Sequence, residues 1–175
     1  MTHRNKWFII IAKNFNKKRE IKMKKICFFI GHSDTSEVIK PLLREVIEQH
    51  ITEYGVTDFY VGHYGAFDRI TAAVLCEMKT LYPKIKNYLI LAYHPATRQV
   101  ELPKGFENTL FFEGQEKSPP RYAIINLNKR AVREADYLIA FSRNITGGSH
   151  KLLLYAAAKE KREKLNITNL ADIFD

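Results

Sequence analysis

Two hydrophobic patterns alternate along this chain. Ile26–Ile30, Asp58–Val61, Tyr88–Tyr93 and Tyr137–Phe141 are short, nearly unbroken apolar runs. Runs of that length without polar alternation predict strands buried on both faces, as in a parallel sheet. Between them the apolar positions switch to helical spacing. Within Ser36–Tyr54 they fall at 39, 42, 43, 46, 47 and 51, with Ser36 as the expected N-cap. Within Phe67–Tyr82 one side carries Ile70, Ala73, Val74, Met78 and Leu81, and Pro83 ends the element. Tyr122–Ala135 predicts a third helix. Ser149–Lys164 predicts a fourth, with Leu152, Leu153, Ala156 and Ala157 facing inward. A short strand near Ile167 is expected at the edge.

Strands alternating with helices predict an α/β fold around a parallel sheet with right-handed crossovers. One segment breaks the rhythm. His94–Pro120 holds four Pro, two Gly and a single strand-like run, Thr109–Glu113. Loops of that length in a compact domain are usually functional or mobile.

Charge adds a division of the chain. The formal net charge is +9, but residues 1–22 carry seven Lys/Arg against one acid, more than half of the excess. We therefore treat 1–22 as a basic extension outside the fold and 23–175 as one domain. A solvated tail is the favoured reading of the head, and a nucleic-acid-binding arm is the less favoured one. No apolar run approaches the roughly 20 residues of a membrane span. The Trp7–Ala12 run is too short for a secretory signal. Cys27 and Cys76 sit in apolar patterns without disulfide spacing, which predicts a reducing cytoplasm.

The candidate chemistry gathers at strand ends. Gly31-His32-Ser33-Asp34 follows the first strand, Gly62-His63-Tyr64-Gly65 the second, and Thr146-Gly147-Gly148-Ser149 lies between the 137–141 strand and the last helix. Ligands of open α/β sheets bind beyond the carboxyl ends of the strands. Glycines allow close backbone approach, and helices opening near Ala66 and Ser149 would aim free N–H groups at an anion. Together these features predict a phosphate or nucleotide site. Asp68 has two open readings: a first-turn carboxylate favoured by the helix dipole, or an acceptor for ribose hydroxyls. His32, His63, His94 and His150 also point to this end, but no HxxxH or HxxE spacing supports a metal. Arg121, after the rigid Pro119-Pro120 pair, is a candidate phosphate clamp. Arg98, Lys129, Arg130 and Arg143 gather near it, with a plain solvent-facing alternative open for Lys129 and Arg130.

These residues resemble a known superfamily. "GHSD", "FYVGHYGAFDR", "LYPKI", "LAYHP", "SPPRYAI", "NKRAVREADYLIAF" and "GGSHKLLLYAAAK" fall in the order and spacing of the SLOG superfamily, closest to its small, stand-alone, YpsA-like bacterial members. The likeness covers about residues 24–168. It implies a three-layer Rossmann-like fold of SLOG type with a central, mostly parallel sheet. It also implies a nucleotide or nucleotide-derived ligand, no separate cofactor, and a homo-oligomer, since relatives often dimerise through helices. Relatives include the Lonely Guy phosphoribohydrolases and DNA-processing proteins. Gly31, His32, Gly62, Gly65, Asp68, Arg121, Asn128, Gly147 and Gly148 match the recurring motif positions.

Two departures bear on activity. The family often has Arg after Gly-His, where this chain has Ser33. The phosphoribohydrolases carry Pro-Gly-Gly-x-Gly-Thr-x-x-Glu, where this chain has Lys151 for the threonine and Leu154 for the catalytic glutamate. Binding of a nucleotide or its derivative is therefore the leading expectation. The alternative is an N-glycosidase acting on nucleoside phosphates, with Asp68 or Asp34 as the carboxylate and His32 as its acid–base aid.

Overall fold

Six strands form one sheet, every neighbouring pair parallel, in the order β4-β3-β2-β1-β5-β6. The computed structural model describes residues 23–143, 145–163 and 165–174; the basic head lies outside them. The strands are β1 (Ile26–Gly31), β2 (Asp58–Val61), β3 (Lys86–Ile90), β4 (Asn108–Leu110), β5 (Tyr137–Phe141) and β6 (Asn166–Asn169). The helices are α1 (Lys40–Thr52), α2 (Ala66–Leu81), α3 (Ala123–Glu134) and α4 (Gly148–Glu163).

Strand pleating divides the apolar side chains between two cores. Cys27, Phe29, Phe59, Val61 and Leu89 pack with Leu43 and Ile47 of α1 and with Ile70, Val74 and Met78 of α2. Phe28, Ile30, Tyr60 and Ile90 face the other way, onto Leu127 and Ala131 of α3 and Leu152 and Ala156 of α4. The result is a three-layer α/β/α fold of Rossmann-like form. A sheet covered on both faces needs strands that are apolar throughout. β1 and β2 meet that need, with almost every side chain buried.

Several boundaries differ from the expected ones. Ser36 caps a 3-10 turn, Glu37–Ile39, accepting from the Val38 amide at 3.5 Å. The α-helix proper begins at Lys40, because Pro41 suits a first turn that needs no N–H donor. β3 starts at Lys86 and ends at Ile90, so Leu91–Tyr93 already belong to the connection. β4 is shorter and earlier than the Thr109–Glu113 run. The long segment before α3 also holds 3-10 turns at Gln115–Lys117 and Pro120–Tyr122.

The β3–β4 connection lacks a crossover helix, and Asn87 ties it down instead. Fully buried, its amide donates to the carbonyls of Leu75 at 3.2 Å and Gly105 at 3.0 Å. Its main-chain carbonyl accepts from the Glu107 amide at 2.8 Å.

The chain runs outward from β1 to β4, then returns to lay β5 against the open side of β1. Strand order therefore reverses between β1 and β5, and the crevice at their carboxyl ends is where such sheets take ligands.

Candidate functional site

A cavity of about 700 Å³ opens at that reversal. Gly31, His32 and Ser33 enter it from the end of β1. Gly62, Gly65 and Asp68 come from the β2–α2 turn, and Thr146, Gly147, Gly148 and Ser149 from the start of α4. Asn128 reaches it from α3. The volume lies in the range of small-molecule and cofactor sites. His63 and Ala66 line a second cavity, of about 760 Å³, which borders the first along Ser33, Gly62, Tyr64, Gly65 and Asp68.

Asp34 and Arg121 line neither cavity. Asp34 is exposed in the loop after β1. Arg121 sits in the Pro120–Tyr122 turn, and its guanidinium lies 4.7 Å from the centre of the Tyr122 ring. The prolines do fix its direction, but not toward the cavity. Among the described residues no group of three or more His, Cys, Asp or Glu could hold a metal ion.

The glycines split into two kinds. A Cβ on Gly31 would stand 2.2 Å from Cγ of Phe67, whose buried ring stacks on Phe141. On Gly65 it would meet the Ser33 Cα at 2.9 Å, and on Gly62 the Asp68 Oδ2 at 2.7 Å. All three contacts are closer than side chains tolerate, so these glycines let two loops and a helix pack together. Gly147 and Gly148 have nothing within 4 Å, and Gly147 takes φ 95°. Among the five glycines that line the site, these two leave room for a ligand to approach the backbone.

The two helix openings differ in the same way. At α2 the leading amides are already spent: Ala66 donates to the Ser33 carbonyl at 2.9 Å and Phe67 to that of His32 at 3.4 Å. The expectation of free N–H groups there is corrected, because β1's loop supplies the acceptors. At α4 the Lys151 amide returns to Gly147, while no described residue accepts from the amides of Gly148, Ser149 and His150. The anion-seeking end of the site is therefore α4. Lys129 and Lys151 line the cavity with no acidic partner among the described residues, and the Lys129 ammonium lies 5.5 Å from the centre of the Tyr155 ring. Ile124, Ile125, Leu152 and Tyr155 give the same wall an apolar surface.

Two side-chain bonds hold α4 and its loop to β1. The Ser149 hydroxyl donates to the Gly31 carbonyl at 2.7 Å. The Arg143 amide donates to His32 Nε2 at 3.1 Å. His32 is thus an acceptor at Nε2, which leaves its proton on Nδ1. It latches the ends of β1 and β5 together rather than presenting that nitrogen to a substrate.

Asp68 combines its two readings. Oδ2 accepts from the Tyr64 amide at 2.9 Å, capping the turn that leads into α2. Oδ1 has no hydrogen-bond donor among the described residues, and the carboxyl lies on the border of both cavities. Burial pushes this carboxyl up to about 6, opposed by the Tyr64 bond. An isolated carboxylate held at a cavity wall is an acceptor waiting for hydroxyl donors. Tyr64 stands beside it, its hydroxyl accepting from the Ala92 amide at 2.8 Å and its ring packed on His63.

Tyr64 stood in a strand-end motif without a role of its own, and the polar lining residues Lys129, Lys151 and Tyr155 lay outside those motifs. Helix spacing offers a signal for two of them: Lys151 and Tyr155 sit one turn apart just inside α4. No protein-family model matches the chain, and no curated protein does either.

Proposed function

We propose that this protein binds a nucleotide or nucleotide derivative at the β1/β5 reversal. One observation carries the reading: at the start of α4 no described residue accepts from the amides of Gly148, Ser149 and His150, and Gly148 and Ser149 line, with Gly147 and Lys151, the cavity that Asp68 also lines. A phosphate is held by the amides and the helix dipole. A ribose diol donates to Asp68, and a base lies against Ile125 and Tyr155. The motif likeness to the SLOG superfamily supports the same ligand class, and we read the chain as a member. Calorimetric titration with AMP, GMP, CMP and UMP tests it. Dissociation constants below about a millimolar, worth ~4 kcal/mol, are expected for at least one, weakened by Lys151→Glu. No binding at that level refutes it.

A second reading rests on the position of Asp68, whose carboxyl borders both cavities with Oδ1 free of any donor among the described residues. In an N-glycosidase, water adds to C1′ as the C1′–N bond breaks, and the base leaves with a proton. Ionised Asp68 would stabilise the cationic sugar in between. With Asp34 outside the cavities and His32 Nε2 engaged, Asp68 alone carries this reading. Release of free base from nucleoside monophosphates, abolished in Asp68→Asn, would establish it.

A further inference from the structure

The second cavity is as large as the first and joins it at the residues that would hold the ribose. It runs along α2, where Ala72 and Ala73 leave space beneath the segment from Val100 to Lys104 of the β3–β4 connection. Part of its lining is apolar, with Leu89, Val100 and Pro103. Its rim carries His63, Arg69 and Lys104 against Glu101, and neither Arg69 nor Lys104 has an ion-pair partner among the described residues. Each cavity therefore combines apolar lining with two cationic side chains that stand outside any ion pair among the described residues. Asp68 and Tyr64 stand on the border, and Oδ1 of Asp68 has no donor among the described residues.

A mononucleotide seated as above occupies the first cavity and leaves the second empty. A ligand with two apolar ring systems, anionic groups and sugar hydroxyls between them fits both. We infer that the second cavity is a subsite for the far half of a dinucleotide, two nucleosides joined through phosphate. This inference rests on the nucleotide reading above, and it makes the ligand's size, not only its class, a property of the fold. Ala73 is exposed on α2 and outside the first cavity, so a larger side chain there blocks the groove without reaching the mononucleotide.

The test compares AMP with two dinucleotides, NAD and pApA, by calorimetry on the full chain. At least one dinucleotide is expected to bind tenfold or more tightly than AMP. Ala73→Phe and Arg69→Glu are each expected to remove most of that advantage while leaving AMP affinity within twofold. Lys151→Glu should weaken both ligand types. Equal affinity for AMP and both dinucleotides, or a dinucleotide advantage untouched by both groove variants, overturns the inference and leaves the nucleotide reading standing. Absence of binding by any of the three, together with failure of the mononucleotide titrations, overturns both.

Discussion

Asp68→Asn should make the protein more stable while disabling its site. Burial holds the Asp68 carboxyl at about 6 in the folded chain, against 3.8 as its ordinary value. The folded state therefore binds its proton more tightly than the unfolded state. That preference stabilises fully below pH 3.8 and is lost as pH rises through about 6. At pH 8 the native state carries a buried charge that costs, relative to an uncharged amide, up to ~3 kcal/mol from a shift of about two units. Exposure of one carboxylate oxygen to the cavity lowers this to about 1–3 kcal/mol. Asn is isosteric, and its carbonyl still accepts from the Tyr64 amide. Urea unfolding of wild type and variant at pH 4, 5, 6, 7 and 8 measures the difference. The expected gain is largest at pH 8, about half as large near pH 5, and within ~0.6 kcal/mol of zero at pH 4. A variant no more stable than wild type at pH 8, or a gain independent of pH, would refute the argument. Nucleotide affinity should fall in the same variant, so stability and binding move in opposite directions.

Other substitutions separate the structural glycines from the functional ones. Gly31→Ala drives a methyl into the Phe67 ring and should cost about 1–3 kcal/mol in chemical unfolding. Gly148→Ala meets open space at a helix start and should leave stability unchanged or raise it by up to ~1 kcal/mol, while weakening nucleotide binding in the same titration. His32→Ala removes the acceptor of the Arg143 amide and should cost about 1 kcal/mol, with faster hydrogen exchange at that amide. His50 is buried against Tyr54 and Tyr137, and burial holds its imidazole below the ordinary 6.5 despite the bond to the Val46 carbonyl. Its contribution is complete above pH 6.5 and declines as pH falls from there, so His50→Phe should flatten that part of the acid limb.

The strands were legible because burial on both faces leaves an unbroken apolar run, as in Ile26–Ile30. The place of the site was legible for a related reason: strand-end glycines mark one rim whatever they do there. What each glycine does was not. Gly31 and Gly65 make room for Phe67 and Ser33, contacts more than 30 positions apart in the chain, and no local pattern distinguishes a protein neighbour from a ligand. Lys129 misled for a similar reason. Helix spacing turns it away from the core, but the strand-order reversal opens a cavity on that side. Arg121 misled because a rigid proline pair restricts the backbone without saying that its direction is the cavity's. The single 3-10 turn that follows decides it.

The reversal of strand order also constrains how this chain can be made. β1 pairs with β2 within about 30 residues of sequence, yet its other edge waits for β5, more than a hundred residues later. Until Tyr137–Phe141 is available, the most apolar strand of the sheet has an open hydrogen-bonding edge. The segment through β3 can form two crossovers but leaves that edge as a template for wrong partners. The crevice that would receive the ligand is thus the last seam of the sheet to close around β1. A small molecule seated there would hold the two halves of the fold together, and its absence should be felt first where β1 meets β5.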